Sequence, residues 1–329
     1  MLSNPRQLIF EQSLKKFEKT ALNIFKFQAE NNPVYKKYLK YTGRKAVEIN
    51  NIPEIPFLPV DFFKSHHIVC GNKKEEIIFT SSGTTGSQKS KHFIVNTKLY
   101  EESFSKTFKM FYGDLADYCM LGLLPNMDER KDSSLVYMVK KLIELTNHPI
   151  SGFYLDDIQK LTNVIKTLEQ RKQKTILLGL SYALLDFAEK TVLKLSNTIV
   201  METGGMKGRR EEITKTGLHD ALKKGFGVQD IHSEYGMTEL LSQAYSKGNG
   251  KYFCPPWMKI LIRDPYDPFN YLPFRQSGGI NIIDLANLHS CSFIETKDLG
   301  KLYPDGSFEV LGRIDHSEIR GCNLMMGEV

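Results

Sequence analysis

The run Ser81-Ser82-Gly83-Thr84-Thr85-Gly86-Ser87-Gln88-Lys89-Ser90 holds the densest chemistry in the sequence. From Ser81 to Ser87 it is five hydroxyl residues and two glycines, and Lys89 follows two places later. Glycines let backbone N–H groups turn toward a ligand. Hydroxyls donate to phosphate oxygens, and a lysine adds a point charge. The pattern suits the grip of a polyphosphate. A P-loop, GxxxxGK[ST], aligns with Gly83 to Ser90 except that Gln88 stands where the second glycine belongs.

The flanking elements weigh on that choice. Glu76–Thr80 (EIIFT) reads as a strand entering the loop, and His92–Val95 (HFIV) as a strand leaving it. A P-loop lysine opens a helix, so a hairpin with a phosphate-gripping tip fits better than strand–loop–helix. Asn96 or Thr97 is placed to cap a following helix, on which Tyr100, Phe104, Phe108 and Phe111 share one face.

Further along, short apolar strands alternate with helices. Thr175–Leu180 and Thr198–Thr203 read as buried strands, and the second ends at Gly204-Gly205. Tyr182–Leu195 and Arg209–Lys224 read as helices, and Asp230–Glu234 as a third strand that turns at Tyr235-Gly236. This alternation predicts parallel βαβ units, which bind ligands at the C-terminal ends of their strands. Upstream, Phe10, Leu14, Phe17, Ala21, Ile24 and Gln28 keep helical spacing, apolar except for the last. The proline-rich Ile52–Ser65 reads as an extended segment wrapped on the body. From Lys251 onward, proline turns and short alternating strands (Gly279–Asp284, Cys291–Thr296, Phe308–Leu311) predict a β-rich part. Asp305-Gly306 marks a hairpin turn there.

Composition bounds the classes. The 329 residues carry 44 Lys+Arg against 38 Asp+Glu, with 41% hydrophobic and 25% charged residues. These fractions exclude a disordered or collagen-like chain. The lysines are scattered, so no nucleic-acid partner is expected. The longest apolar runs fall far short of the ~20 residues that span a bilayer. The start, MLSNPRQLIFEQS, does not read as a secretory signal. Cys70, Cys119, Cys254, Cys291 and Cys322 form no CxxC pair, which fits reduced thiols in a cytoplasm. Adjacent His66 and His67 point to opposite sides of an extended segment and give no metal site.

Four ordered motifs carry a resemblance. SSGTTGSQK resembles the [ST]SG[ST]TGxPK phosphate loop of adenylate-forming enzymes, with Gln88 in place of proline. Gly204-Gly205 resembles their adenine-pocket glycine pair, and Tyr235-Gly236-Met237-Thr238-Glu239 their YGxTE motif. Thr296-Lys297-Asp298-Leu299-Gly300 with Gly312-Arg313-Ile314-Asp315 is similar to their TGDLG…GRxD pair. Within that superfamily, PFLPVDFFKS, ETKDLG and the ending EIRGCNLM resemble the LuxE-type acyl-protein synthetases over the whole chain.

The resemblance implies an α/β fold. An adenylate-forming core would cover 1–312, with an α/β part at 1–250 and a smaller β-rich subdomain at 251–312. A hinge-like stub at 313–329 would follow. It implies ATP and Mg²⁺ as cofactors and a carboxylic acid, usually a long-chain fatty acid, as substrate. Acyl-AMP and pyrophosphate would form, and the acyl group would pass to a cysteine and on to a partner such as a reductase or carrier protein.

Ser81, Ser82, Gly83, Thr84, Thr85, Gly86 and Lys89 would hold the β- and γ-phosphates. Gly204 and Gly205 would line the adenine pocket, closed by Tyr235 stacking on the base beside Gly236. Thr238 would bond the α-phosphate, Glu239 would hold Mg²⁺, and Asp298 would accept both ribose hydroxyls. Arg313 and Asp315 fall at the superfamily's hinge. Cys322, beside Arg320, would take the acyl group, since nearby positive charge favours a thiolate. Only Ile314–Val329 follow Arg313, so the superfamily's C-terminal domain of about 100 residues, with its lysine, is not expected here. His92 and Arg130 are candidates to meet the carboxylate instead. A nucleotide-binding scaffold without catalysis, a P-loop NTPase and a homo-oligomer remain as alternatives or additions.

Overall fold

The computed structural model describes residues 5–82, 88–206, 209–211 and 213–314. In chain order the elements open with α1 (Pro5–Phe10), α2 (Leu14–Asn31), α3 (Pro33–Tyr41), β1 (Leu58–Pro59) and α4 (Phe62–Ser65). Then come β2 (Ile77–Thr80), β3 (Lys91–Ile94), α5 (Thr97–Tyr112), β4 (Cys119–Leu123), α6 (Ser134–Thr146), β5 (Gly152–Phe153), α7 (Ile158–Gln170) and β6 (Thr175–Leu180). Next are α8 (Ser181–Lys190), β7 (Thr198–Thr203), α9 (Lys215–Phe226), β8 (His232–Tyr235) and β9 (Ala244–Ser246). The last four strands are β10 (Met258–Arg263), β11 (Ser277–Asp284), β12 (Phe293–Leu302) and β13 (Phe308–Arg313). Contacts group them into two units: Met1–Glu75 with Pro256–Val329, and Glu76–Pro255.

The Glu76–Pro255 unit holds a six-stranded sheet of order β5-β4-β6-β7-β8-β9. Its pairings are parallel from β5 to β8, and β9 closes the edge antiparallel to β8. Every residue of β4 and β6 is buried, the mark of strands covered on both faces. β4 is the strand that periodicity does not reveal, because a five-residue apolar run cannot be told from buried helix.

β2 and β3 pair antiparallel, with Thr80 opposite Lys91. The loop between them is therefore a hairpin tip, and the P-loop alternative, which needs a helix after Lys89, is ruled out. α5 begins at Thr97, yet neither expected residue caps it by accepting a backbone bond. Instead the Glu76 carboxylate accepts from Thr97 N and Thr97 Oγ1, both at 2.7 Å. That supplies negative charge to the helix N-terminus.

Two helices are shorter than periodicity suggests. α8 stops at Lys190, where β-branched Thr191 turns extended (φ −137°, ψ 133°). α9 starts at Lys215, because Thr214 Oγ1 accepts from Gly217 N and caps the helix there.

In the other unit β11 pairs antiparallel with β10 and β12, and β12 with β13, while β1 joins β12 in parallel. The ten-residue β12 serves two neighbours in turn. Ile294 and Glu295 face β1, and Asp298 to Leu302 face β13. The predicted turn at Asp305-Gly306 is present, with Gly306 at φ +84°. Asp305 Oδ1 accepts from Ser307 N at 3.0 Å and Ser307 Oγ at 2.6 Å.

The single N-terminal helix expected from Phe10 onward is two helices. The chain extends at Ser13 (φ −130°, ψ 163°), so Phe10 belongs to α1 and packs edge-on against Trp257. On α2 the apolar face holds, and Gln28, its polar member, is fully buried. Its amide donates to Asn287 O, Leu288 O and Ser292 Oγ, and accepts from Ser292 N. The proline-rich segment is not extended throughout: it opens in one 3-10 turn at Ile52–Glu54, runs extended through β1 and ends in the short helix α4. Tyr35 and Tyr38 donate their hydroxyls to Pro56 O and Phe57 O along it. Among the described residues no helix is long and apolar enough to cross a membrane.

Candidate active site

Three chain segments of the Glu76–Pro255 unit carry the predicted chemistry, and each is held by named bonds. The hairpin tip is closed at its neck. Ser81 N donates to Ser90 O at 3.1 Å, and Ser90 N donates to Ser81 Oγ at 3.0 Å. Ser82, Gln88 and Lys89 are exposed beyond that neck. Gly83, Thr84, Thr85 and Gly86 lie outside the described residues, as do Asp315 and Cys322. Beneath the neck, Thr80 N donates to Asp132 O at 2.8 Å, and the Thr80 hydroxyl bonds the Asp132 carboxylate. Arg130 Nε donates to the same carboxylate at 3.2 Å. The Arg130 guanidinium is thus part of the latch under the loop, a placement its sequence neighbours do not signal.

β7 is followed by Gly204 and Gly205 at φ +77° and +63°, two left-handed positions in a row that side-chain-bearing residues rarely adopt. One strand over, β8 delivers Glu234 and Tyr235. The Thr203 hydroxyl donates to the buried Glu234 carboxylate. Gly236 makes room for that carboxylate, since a Cβ there would meet Glu234 Oε1 at 2.5 Å. A side chain at 236 would have to push the Glu234 carboxylate away from the Thr203 hydroxyl that it bonds. Tyr235 is 9% exposed, with its ring 5.9 Å from that of Tyr252 at 61°. Glu239 is buried at 5% exposure.

His92 joins two of these segments. It is fully buried on β3, and its Nδ1 lies 2.8 Å from Thr238 O. A carbonyl only accepts, so Nδ1 carries the proton. The hairpin is thereby tied to the Thr238-Glu239 turn across 146 positions of sequence. His92 does this from within the core, and the bond, not the sequence motif, reveals it.

A buried charged group stands behind the strand ends. Glu202 on β7 accepts from Ser181 Oγ at 2.8 Å, pairs with Lys215, and lies 3.6 Å from His219 Nε2. Burial raises the Glu202 carboxyl, but His219, the Lys215 ammonium and Ser233 outweigh it and hold it at about 2. Burial likewise opposes the Lys215 ammonium, yet Glu202 and Tyr252 keep its pKa above the usual lysine value. Periodicity reads Glu202 only as part of a strand, and nothing in its spacing announces the network.

In the other unit, Asp298 and Arg313 face each other across β12 and β13. Arg313 Nε is 3.9 Å from Asp298 Oδ1, with the arginine side chain 76% exposed and the aspartate 18%. At that exposure and distance the pair adds little stability. Gly300, in the same motif, has no room for a Cβ, which would sit 2.5 Å from Ile280 Cδ1.

A family profile described as acyl-protein synthetase, LuxE, matches residues 1–329. No curated protein sequence matches the chain. Among solved structures, ATP-bound MatB from Rhodopseudomonas palustris is 16% identical with a TM-score of 0.56, over 74% of this chain and 49% of its own. The chain thus spans about half the length of MatB. A 2-hydroxyisobutyryl-CoA ligase in complex with 2-HIB-AMP and CoA is 15% identical with a TM-score of 0.69, over 98% of this chain and 76% of its own. Such identities speak to fold, and the fold is the expected α/β, adenylate-forming core with mostly parallel sheet and a strand-rich C-terminal part.

Proposed function

The chain belongs to the LuxE acyl-protein synthetase family, and we propose that it activates a carboxylic acid with ATP. In the first step a carboxylate oxygen attacks the α-phosphorus, the bond to the β-phosphate oxygen breaks, and acyl-AMP and pyrophosphate result. In the second, a thiolate attacks the acyl carbonyl, AMP leaves, and a thioester forms. A fatty acid is the proposed substrate. Cys322 is the proposed thiol, and a reductase or carrier protein the onward acceptor.

The observation that supports this reading is the His92–Thr238 bond, 2.8 Å long, which ties β3, the strand that leaves the Ser/Gly/Lys loop, to the YGMTE turn. Negative charge builds on departing pyrophosphate. Ser81, Ser82, Gly83, Thr84, Thr85, Gly86 and Lys89 are the donors proposed to receive it, and fixed donors suit that task. Thr238 is assigned to the α-phosphate, Tyr235 to the adenine face, and Gly204, Gly205 and Gly236 to the backbone around it. By resemblance to the family, Asp298 is assigned the ribose hydroxyls and Arg313 the hinge.

Mg²⁺ is held in such sites by one or two carboxylates together with substrate phosphates. Glu239, next in sequence to the residue assigned to the α-phosphate, would supply one such carboxylate, and the phosphates would supply the rest. When bound it offsets phosphate charge. Glu239 orients that charge, and the buried setting of its side chain keeps bulk water from competing.

The test is acid-dependent ATP–pyrophosphate exchange over a panel of acids, followed by radiolabelled acyl transfer to wild type and Cys322→Ser. Exchange with one class of acid is the expected result, and no exchange with any acid sinks the activity. A Cys322→Ser protein that is still acylated removes the cysteine assignment alone.

A further inference from the structure

The Glu202 network does not stop at the sheet. Lys215, in the first turn of α9, lies between two partners: the Glu202 carboxylate and Tyr252. Its Nζ sits 5.7 Å from the centroid of the Tyr252 ring. Tyr252 is 4% exposed, and its other neighbour of note is the Tyr235 ring at 5.9 Å. Ser233, two residues before Tyr235 on β8 and so on the same face of the strand, contacts His219 Nε2 at 3.3 Å. His219 in turn faces Glu202. Both arms of the network therefore end at β8: one reaches the Tyr235 ring through Lys215 and Tyr252, the other reaches its strand through His219 and Ser233.

The anchor is stiff. Ser181 Oγ bonds both the Glu202 carboxylate at 2.8 Å and Thr203 O at 3.2 Å, which fixes β7 just before its glycine turn. A buried carboxylate with this many donors has one low-energy arrangement, and its partners inherit it.

We propose that Glu202, Lys215 and Tyr252 are positioning residues that set the ring plane of Tyr235 and the Gly204-Gly205 turn for an adenine base. This rests on the assignment of Tyr235 to adenine made above. None of the three needs to touch the reacting atoms, and none belongs to the four motifs that carry the family resemblance. They act through the tyrosine, as supporting contacts act in any precise site.

The experiment measures MgATP binding by calorimetry, alongside binding of tripolyphosphate, which carries the phosphates without the base. The proteins are wild type, Lys215→Met, Tyr252→Leu, Lys215→Arg, and the double Glu202→Gln/Lys215→Met. The double variant removes both charges and so avoids leaving Glu202 buried alone. The expected result is about a tenfold loss of ATP affinity in Lys215→Met, Tyr252→Leu and the double variant, the scale of losing one base-stacking contact. Tripolyphosphate binding should stay unchanged, and Lys215→Arg should recover most of the ATP affinity.

An unchanged ATP affinity in a folded double variant overturns the proposal. So does an equal loss for tripolyphosphate, which would mark a merely structural network, or a wild type that binds no ATP. Should the expected pattern hold while no acid supports pyrophosphate exchange, the proposal stands and the acid-activation reading fails on its own.

Discussion

Buried polar side chains do different work in the two units. In the unit of Met1–Glu75 and Pro256–Val329 the buried amides and guanidinium bond mostly backbone, beside single side-chain partners such as Ser292 and Asn281. Gln28 holds the carbonyls of Asn287 and Leu288, Asn32 Nδ2 donates to Ser290 O at 2.9 Å, and Arg263 donates to Ile280 O and Thr296 O. These residues satisfy main-chain groups that loops and a bulged strand leave without ladder partners. In the Glu76–Pro255 unit some do the same, as His92 does at Thr238 O, but a set at the strand ends bonds one another: Glu202 with Ser181, Lys215 and His219, and Thr203 with Glu234. A staple on backbone secures a loop whatever the loop is for. A side-chain array at strand ends sets directions, so one change re-aims several groups. The first pattern serves stability, and the second lies where the proposed site is.

The sharpest way to break that contrast is at the hairpin and the YGMTE turn. Lys89→Ala and Glu239→Gln should each lower exchange by about 10²–10³-fold, the scale of removing one fixed transition-state contact. Lys89 is exposed, so its melting temperature should not move. A loss under about tenfold would deny Lys89 and Glu239 a part in stabilising the transition state.

The opposite result is expected at Gln28. Gln28→Leu leaves two carbonyls and the Ser292 amide without their partner, which should destabilise the fold by about 2–4 kcal/mol. KM for ATP should be unchanged, and a specific rise in it would erase the distinction between staple and site. Thermal unfolding beside initial-rate kinetics reads both.

His92 sits between the extremes. His92→Leu should lower exchange about tenfold by freeing the Thr238 turn, while His92→Asn, which can donate from a similar position, should keep most of it. Equal losses in both would mean that the ring's bulk matters and its Nδ1 proton does not.

The smallest effect is in acid. Burial holds His289 in one unit and His232 in the other at a pKa of about 4, with Lys73 and Lys247 adding to it respectively. A folded-state pKa below the unfolded one gives stability that is present above the unfolded value, near 6.5. It is lost as pH falls toward 4. Replacing either with Gln should flatten the acid limb over that window, measured by denaturant melts at stepped pH. Glu202 follows the same sign lower down. Its stabilisation should be full above about pH 4.5 and fade toward 2, and Glu202→Gln should abolish that slope.

Much of the fold was legible because its signals are local. β6 and β7 are continuous apolar runs, and β2 and β3 bracket a loop too rich in glycine to be anything else. Errors fell where a local signal was overridden. Thr214 caps α9, which starts six residues after the Arg209 that periodicity suggests, and extended Ser13 cuts the N-terminal helix although its apolar spacing runs on. Gln28 looked like the end of an amphipathic stripe, yet burial made it the residue that holds Asn287 to Ser292. Among site residues, Gly236 and Tyr235 were visible as a motif. Asp132, Glu202 and Lys215 were not, because no spacing rule links a strand carboxylate to a lysine thirteen residues on.

The sequence by itself determined the class of chemistry. A hydroxyl-, glycine- and lysine-rich tip, a glycine pair and a YGMTE turn need no coordinates to suggest a nucleoside triphosphate, since backbone freedom and side-chain type are properties of the residues. Only the tertiary structure decided which residues meet behind those motifs. His92 meets Thr238, and Glu202 meets Lys215, because βαβ winding stacks the ends of separate strands side by side. Hydrogen bonds act over about 3 Å of space and take no account of distance along the chain.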